Sequence, residues 1–172
     1  TLFKNSLFRH VMVRVLAWKD PFAHINDSGY QLSQSLFAIG TGGYMGSGLT
    51  TGKANTIPVS ESDFVFSAIC EELGVIFGLA LLLVFVSVFL SFVNVAMKSR
   101  SPFLKYISFG FGMIYIVQAL LNIGGVTKFL PSTGVTLPLI SYGGSSVLCT
   151  MIMFAIFQGL ALRIKDEEAE NE

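Results

Sequence analysis

The sequence predicts an all-α fold, a polytopic bundle of helices that crosses a membrane several times. Hydrophobic residues make up 52% of the 172 positions and charged residues only 13%, a balance that is unusual for a soluble domain. Three uncharged runs are also long enough to cross a bilayer as helices, which takes about 20 residues. These observations indicate a membrane protein.

The three predicted spans follow one another in the second half of the chain. They cover residues 73–97, 106–127 and about 141–162. Prolines and glycines break the uncharged sequence before the third span. Residues 128–140 are therefore expected to form a re-entrant or tightly folded loop, which a membrane protein tolerates only where the loop is buried in protein or lines a polar cavity.

Two polar side chains mark one face of the second span. Gln118 and Asn122 lie four residues apart, so they share a helical face. Because lipid offers no hydrogen bonds, this face is predicted to look inward at protein.

Basic residues indicate the orientation of the spans, because short loops rich in Lys and Arg face the cytoplasm. Such residues fill the connection between the first two spans and follow the third: Lys98, Arg100, Lys105, Arg163 and Lys165. Residues 1–72 and the 128–140 loop are then expected outside. Residues 73–165 hold the three transmembrane helices, and the hydrophilic tail 166–172 is expected to be disordered in the cytoplasm.

The segment outside the membrane has two distinct parts. The first nineteen residues have apolar side chains at every fourth position and four basic residues, which predicts an amphipathic helix lying on the membrane, its basic face toward head groups or a phosphate ligand. Residues 32–52 contain six glycines and many hydroxyls, so a surface loop is predicted there. Because the chain starts at Thr1, without an initiator Met, it is expected to be a piece of a longer protein.

Acidic residues stand directly before the first span. A helix is predicted to start at Asp63 and to continue without a break into the span, with Glu71 and Glu72 at the water–lipid boundary. Asp63 can act as a general base on a substrate presented from the membrane, or it can simply stabilise the helix dipole. Glu71 and Glu72 can belong to a functional site. Alternatively, one of them anchors the helix at the interface while the other faces the interior of the bundle.

Other polar residues are candidates on the same outer side. Ser141 and Tyr142 can line a site, while the glycines that follow them favour close helix packing. Lys53 and Lys128 can bind phosphate, or they can be solvated loop charges.

Several kinds of site are excluded by the sequence. The glycine-rich string at 40–48 matches neither the P-loop nor the dinucleotide pattern, and neither histidine has a paired metal ligand at a useful spacing. The cysteines, Cys70 and Cys149, are predicted to be buried hydrophobes. Eleven basic and eleven acidic residues cancel, so no overall field attracts nucleic acid.

Three long stretches, in this order, carry a family resemblance. They read GYQLSQSLFAIGTGGYMGSGL, IPVSESDFVFSAICEELG and NIGGVTKFLPSTGVTLPLISYGGSS. Together they resemble the C-terminal part of the SEDS family (shape, elongation, division and sporulation), to which FtsW, RodA and SpoVE belong. The resemblance covers about residues 11–162. It implies a protein of the bacterial cytoplasmic membrane with about ten helices, of which this chain is the large extracellular loop and the last three.

The resemblance also implies roles for particular residues. The catalytic acid of the family falls on Asp63, the acids of its EEL motif fall on Glu71 and Glu72, and its SYGGSS loop falls on 141–146. This sequence departs from the family before the catalytic acid, where it has Glu61-Ser62, and in the glycine-rich loop, where Ser47 replaces a frequent Lys. These departures leave the acid in place but remove a basic contact from that loop.

The activity implied by the resemblance is the polymerisation of lipid II into glycan strands at the outer face of the membrane. Asp63 would take the proton of the acceptor sugar's 4-hydroxyl in one inverting displacement that expels undecaprenyl diphosphate. Arg14, Lys53, a residue outside this chain or a divalent cation would neutralise the leaving group. A class B penicillin-binding protein is the implied partner. A flippase for the same precursor and a non-enzymatic scaffold of cell-wall synthesis are the alternatives.

Overall fold

Six helices form the part of the protein that the structure, a computed structural model, describes: residues 6–52 and 61–169, with side chains for 11–52 and 61–166. In chain order they are α1 (Ser6–Lys19), α2 (Tyr30–Gly42), α3 (Val65–Leu73), α4 (Val75–Lys98), α5 (Pro102–Val126) and α6 (Gly144–Ala169). The described residues contain no strand. The prediction of an all-α fold is confirmed, and α1 is helical where the amphipathic pattern predicts it.

The three long helices confirm the number of predicted spans. Three helical segments are long and apolar enough to cross a membrane: Val75–Lys98, Pro102–Val126 and Gly144–Asp166. Helix α5 is the most buried of the three and packs between α4 and α6. Its Tyr115 lies in an aromatic cluster with Phe92 of α4 and Phe154 of α6, whose rings are tilted or edge-on to one another.

Small residues let α4 and α5 approach closely. A Cβ atom added to Gly112 would lie 2.7 Å from the Cβ of Phe92. One turn away, the Ser108 hydroxyl donates a hydrogen bond to the Phe92 carbonyl at 3.0 Å. The side chain of Phe92 is fully buried as a result.

The surface loop predicted for 32–52 is wrong over its first part, which is helix α2. The serines that suggest a loop are buried and satisfied by partners distant in sequence. The Ser33 hydroxyl donates to the Pro21 carbonyl at 3.0 Å, and the Ser35 hydroxyl lies 2.6 Å from that of Ser67 and donates to the Val126 carbonyl. These bonds remove the cost of burying hydroxyl groups, so the helix packs against α3 and the end of α5.

The uninterrupted helix predicted from Asp63 into the first span is also wrong. Helix α3 begins at Val65, and Gly74 separates it from α4 with φ 89° and ψ 163°, a conformation open mainly to glycine. The amide of Val75 donates to the Gly43 carbonyl at 2.9 Å instead of continuing α3. Contact with the glycine-rich loop therefore breaks the helix.

The third span differs from its prediction at both ends. Helix α6 begins at Gly144 rather than near Ser141, because the Ser141 hydroxyl is used by the preceding loop. It continues to Ala169, so the predicted disordered tail is wrong for residues 166–169. Most residues of that stretch have good helix propensity and nothing breaks the helix. Residues 170–172 lie outside the described residues.

Candidate functional site

Asp63 lies in the turn that precedes α3, and its main chain is fixed from α5. The side-chain amide of Asn122 donates to the Asp63 carbonyl at 2.9 Å and to the Val135 carbonyl at 2.6 Å. The next residue, Phe64, is buried and anchors the turn in the core. This confirms that Asn122 faces protein, as does Gln118, whose amide donates to the Thr136 carbonyl at 3.0 Å.

The carboxylate of Asp63 is half-buried and faces the loop between α5 and α6. A Cβ atom added to Gly134 would lie 3.6 Å from Asp63 Oδ2. Gly134 has φ 70°, which favours glycine, so its main chain passes close beside the carboxylate. The loop is itself packed onto the bundle, since Leu137 and Pro138 are almost completely buried.

Helix α1 covers the carboxylate from the other side and closes a cavity of about 110 Å³. The polar lining of this cavity includes Arg14, Trp18, Gln31, Asp63 and Ser132. Two hydrogen bonds hold α1 there: the Arg14 guanidinium donates to the Thr133 carbonyl at 3.2 Å, and the Trp18 indole donates to the Lys128 carbonyl at 3.0 Å. The structure thus brings Arg14 and Asp63, 49 residues apart in sequence, to one cavity.

Ser141 and Tyr142 contact the same turn through its main chain. The buried Ser141 hydroxyl donates to the Ser62 carbonyl and accepts from the Leu137 amide at 2.7 Å. The amide of Tyr142 donates to the Glu61 carbonyl at 2.8 Å, while its ring is 80% exposed. Ser141 therefore holds the loop on the Asp63 turn, and Tyr142 is the one of the two whose side chain is open to a ligand.

An open apolar groove of about 930 Å³ begins at this turn and follows α6. Glu61, Val65 and Tyr142 lie at one end of the groove, and Val147, Leu148, Met151 and Ile152 of α6 line the rest. A groove of this composition suits a hydrocarbon chain.

Glu71 and Glu72 are not brought to the Asp63 carboxylate. They lie at the opposite end of α3, about 12 Å along its axis at 1.5 Å per residue. Glu71 is only 6% exposed and lies beside Gly52, where an added Cβ would be 3.1 Å from the Glu71 carboxyl carbon. Their carbonyls accept hydrogen bonds from the amides of Ser47 and Gly48. Lys53 lies outside the described residues.

Four polar lining residues escaped the sequence analysis: Trp18, Ser28, Gln31 and Ser132. Trp18 is the single tryptophan of the sequence and stands in an amphipathic helix, a signal that could have singled it out. The other three carry no such signal. Among the described residues, no group of three or more His, Cys, Asp or Glu side chains could hold a metal ion.

The fold and the site together define a class of protein. A bundle with three membrane-spanning helices holds a carboxylate and a guanidinium in one cavity at the end of the bundle remote from its basic connection, with an apolar groove beginning beside them. This is the arrangement of a membrane protein with a polar site at one end of its helical bundle.

The chain belongs to the FtsW, RodA and SpoVE family of cell cycle proteins, whose model matches residues 3–166. It is 40% identical over 156 residues to the peptidoglycan glycosyltransferase RodA of Mycobacterium bovis, covering 91% of this chain and 33% of that protein. It is 37% identical over 154 residues to the probable peptidoglycan glycosyltransferase FtsW of Geobacter metallireducens, and the match covers 88% of this chain and 41% of that protein. The probable peptidoglycan glycosyltransferase FtsW of Saccharophagus degradans is 40% identical to it over 165 residues, and the match covers 92% of this chain and 42% of that protein. The chain thus spans about a third to two fifths of the length of these relatives.

Proposed function

We propose that this chain carries the catalytic base of a peptidoglycan glycosyltransferase that polymerises lipid II. The observation that carries the proposal is the cavity that Asp63 and Arg14 share at one end of the helical bundle. The family membership supports it, and so does the similarity to relatives named as peptidoglycan glycosyltransferases.

In the proposed reaction, Asp63 takes the proton from the 4-hydroxyl of the acceptor's N-acetylglucosamine. The hydroxyl oxygen attacks the anomeric carbon of the donor's muramic sugar, and the bond from that carbon to the diphosphate oxygen breaks. Because the donor linkage is α and the product β, one displacement inverts the centre without a covalent sugar–enzyme intermediate. The Asn122 and Ser141 hydrogen bonds to the main chain around Asp63 hold the base in place.

The departing undecaprenyl diphosphate needs a cation. Arg14 is the described guanidinium in the Asp63 cavity, and it can pair with phosphate oxygens in bidentate geometry. Lys53 remains a second proposal, and so does a divalent cation, which would add charge neutralisation on the diphosphate. Glu71, Glu72 and Tyr142 remain proposed contacts to more distant parts of the substrate.

The apolar groove along α6 supports a lipid-linked substrate. The groove has a volume of about 930 Å³ and begins beside the turn that carries Asp63, so a lipid chain bound in it would start next to the proposed base. We place the site on the outer face of the bacterial cytoplasmic membrane, because Asp63 lies at the end of the bundle opposite Lys98 and Lys105. A class B penicillin-binding protein, which would cross-link the strands, is the proposed partner.

The decisive experiment uses the complete gene product, purified with its penicillin-binding protein and supplied with lipid II. Asp63→Asn keeps the size of the side chain but removes the base, so glycan synthesis should fall at least about 100-fold, the usual contribution of a general base. Asp27→Asn, at an exposed acid of the α1–α2 connection, is the matched control and should keep full activity. Polymerisation at an unchanged rate by Asp63→Asn would reject the mechanism and favour a flippase or a scaffold.

A further inference from the structure

The glycine-rich loop after α2 is fastened to the start of α4. The amide of Val75 donates to the Gly43 carbonyl at 2.9 Å, and the amide of Ile76 donates to the Tyr44 carbonyl at 3.4 Å. On the other side of the loop, the Ser47 amide donates to the Glu71 carbonyl at 2.8 Å. These bonds fix the loop at the level of the first turn of α4.

Glycines make this close contact possible. A Cβ atom added to Gly46 would lie 2.2 Å from the Glu72 carbonyl oxygen, and one added to Gly74 would lie 2.3 Å from the Tyr44 carbonyl oxygen. The two main chains are therefore in direct contact, and the position of the loop relative to α4 is determined by the fold.

Three large apolar side chains nevertheless project from this fixed loop. Tyr44 is 79% exposed, Met45 84% and Leu49 67%. We name these three residues the apolar tip. Residues 43–52 contain no charged side chain. Exposed apolar groups on a well-held loop usually mark an interaction surface.

The apolar tip adjoins the exposed apolar surface at the start of α4. The first turns of this helix expose Ile76 at 53%, Phe77 at 46% and Leu79 at 57%. Helix α4 has 24 residues, about 36 Å at 1.5 Å per residue, so it exceeds a hydrocarbon core of about 30 Å and its first turn lies at the interface. Tyr44, whose carbonyl is bonded to Ile76, belongs to the same level.

We propose that the apolar tip inserts into the lipid leaflet that surrounds the start of α4. The tip therefore contacts membrane lipid directly, at the depth of the glycerol and upper acyl region. A tyrosine with one apolar and one polar end suits that depth. Because the loop has no charge, insertion depends on apolar contact and does not require anionic lipid. The anchor holds the end of α3 that carries Glu71 and Glu72, whose carbonyls are bonded to the loop, at the membrane surface.

Spin-label depth measurements test this proposal without reference to catalysis. The complete gene product, with its native cysteines replaced, is labelled at Met45→Cys or Leu49→Cys and reconstituted in vesicles of zwitterionic phosphatidylcholine. Collision with oxygen, which concentrates in lipid, is compared with collision with a water-soluble nickel chelate. Leu83→Cys, at a 66% exposed position in the middle of α4, is the lipid reference, and Asp27→Cys is the water reference.

Labels at positions 45 and 49 should lie between positions 83 and 27, with oxygen accessibility above that of the nickel chelate and nickel accessibility well below that at position 27. Nickel accessibility equal to that at position 27 would overturn the proposal. Low accessibility to both reagents would also overturn it, because it would mean that protein covers the tip. The use of two label positions guards against a local disturbance by either substitution.

Discussion

At the scale of single residues, Asn122 does the most to organise the site. Its side chain is 4% exposed and joins α5 to both the Asp63 turn and the Val135 loop. Its Oδ1 atom is buried and has no hydrogen-bond partner among the described residues. Buried acceptors without partners are uncommon, so the two bonds made by the amide nitrogen are the reason that an asparagine is accommodated here.

Replacing Asn122 by leucine should therefore weaken both the fold and the site. The substitution leaves two buried carbonyls without their donor, which costs about 1–3 kcal/mol of unfolding free energy. Unfolding of the complete gene product by a denaturing detergent measures this loss, and lipid II polymerisation should fall as the Asp63 turn loosens.

The control for Asn122 is Leu120→Val, at a 48% exposed position on the same helix, which should change little. Equal stability and activity of Asn122→Leu and Leu120→Val would show that the bonds to Asp63 and Val135 do not position the base.

Cys70 is buried as predicted, whereas Cys149 on α6 is exposed, so the prediction is wrong for Cys149. The buried Cys70 leads to a prediction about pH. Burial raises the pKa of its thiol from 9.0 to about 11. The folded state therefore favours the protonated thiol: its contribution to stability is complete below pH 9 and is lost as the pH rises toward 11. Because the thiolate is the reactive form, maleimide at pH 8 should leave Cys70 unmodified in the folded protein and modify it after unfolding. Mass spectrometry distinguishes unmodified from modified Cys70. Rapid modification before unfolding would show that the thiol is accessible and would contradict the prediction.

At the scale of helices, the break at Gly74 decides how α3 is oriented relative to α4. It separates the short helix that follows the Asp63 turn from the long helix α4, which is long and apolar enough to cross a bilayer. The main-chain bonds from Val75 and Ile76 to the glycine-rich loop replace those of a continuous helix. Asp63 is thereby placed by α2, α5 and the 128–140 loop rather than by the direction of α4.

Gly74→Ala should be strongly destabilising. Alanine is strained at φ 89° and ψ 163°, and its Cβ would collide with the Tyr44 carbonyl oxygen. A loss of at least about 2 kcal/mol is expected from strain of this kind, together with a lower yield of folded protein in size-exclusion chromatography.

Gly110→Ala supplies the matched comparison for Gly74→Ala. Gly110 lies inside α5 and an added Cβ has no other atom within 4 Å. The Gly110→Ala substitution should be neutral or slightly stabilising, because alanine is more favourable than glycine inside a helix by up to about 1 kcal/mol. If the two variants behaved alike, the break at Gly74 would not be needed for the fold.

At the scale of the whole molecule, everything that contacts Asp63 lies at one end of the three long helices. The short connection between α4 and α5 and the end of α6 lie at the other end; these segments carry Lys98, Arg100, Lys105, Arg163 and Lys165. The direction of the bundle in the membrane therefore decides which compartment the site faces. Chemistry on lipid II outside the cell requires the end with Asp63 to face outward.

A membrane-impermeant maleimide tests that direction in intact cells. A cysteine at Asp27, on the site end, should be labelled directly, and a cysteine at Arg100 should be labelled only after the membrane is permeabilised. The reverse pattern would put Asp63 in the cytoplasm and would contradict the proposed mechanism.

The sequence by itself determined the all-α class, the three spans, the amphipathic α1 and the inward face of Gln118 and Asn122. Each of these depends on hydrophobicity and helical period, which are local properties of the chain. The family resemblance pointed to Asp63, and the family membership is now established.

Only the tertiary structure decided what surrounds Asp63. Serine hydroxyls predicted to lie in a surface loop are buried in α2, because Ser67 and the Val126 carbonyl reach them from distant parts of the chain. The break at Gly74 and the cavity that joins Arg14 to Asp63 likewise depend on contacts between segments that the sequence alone does not pair. Hydrogen bonds and close packing between such segments satisfy polar groups that would otherwise be too costly to bury, and no local pattern records them.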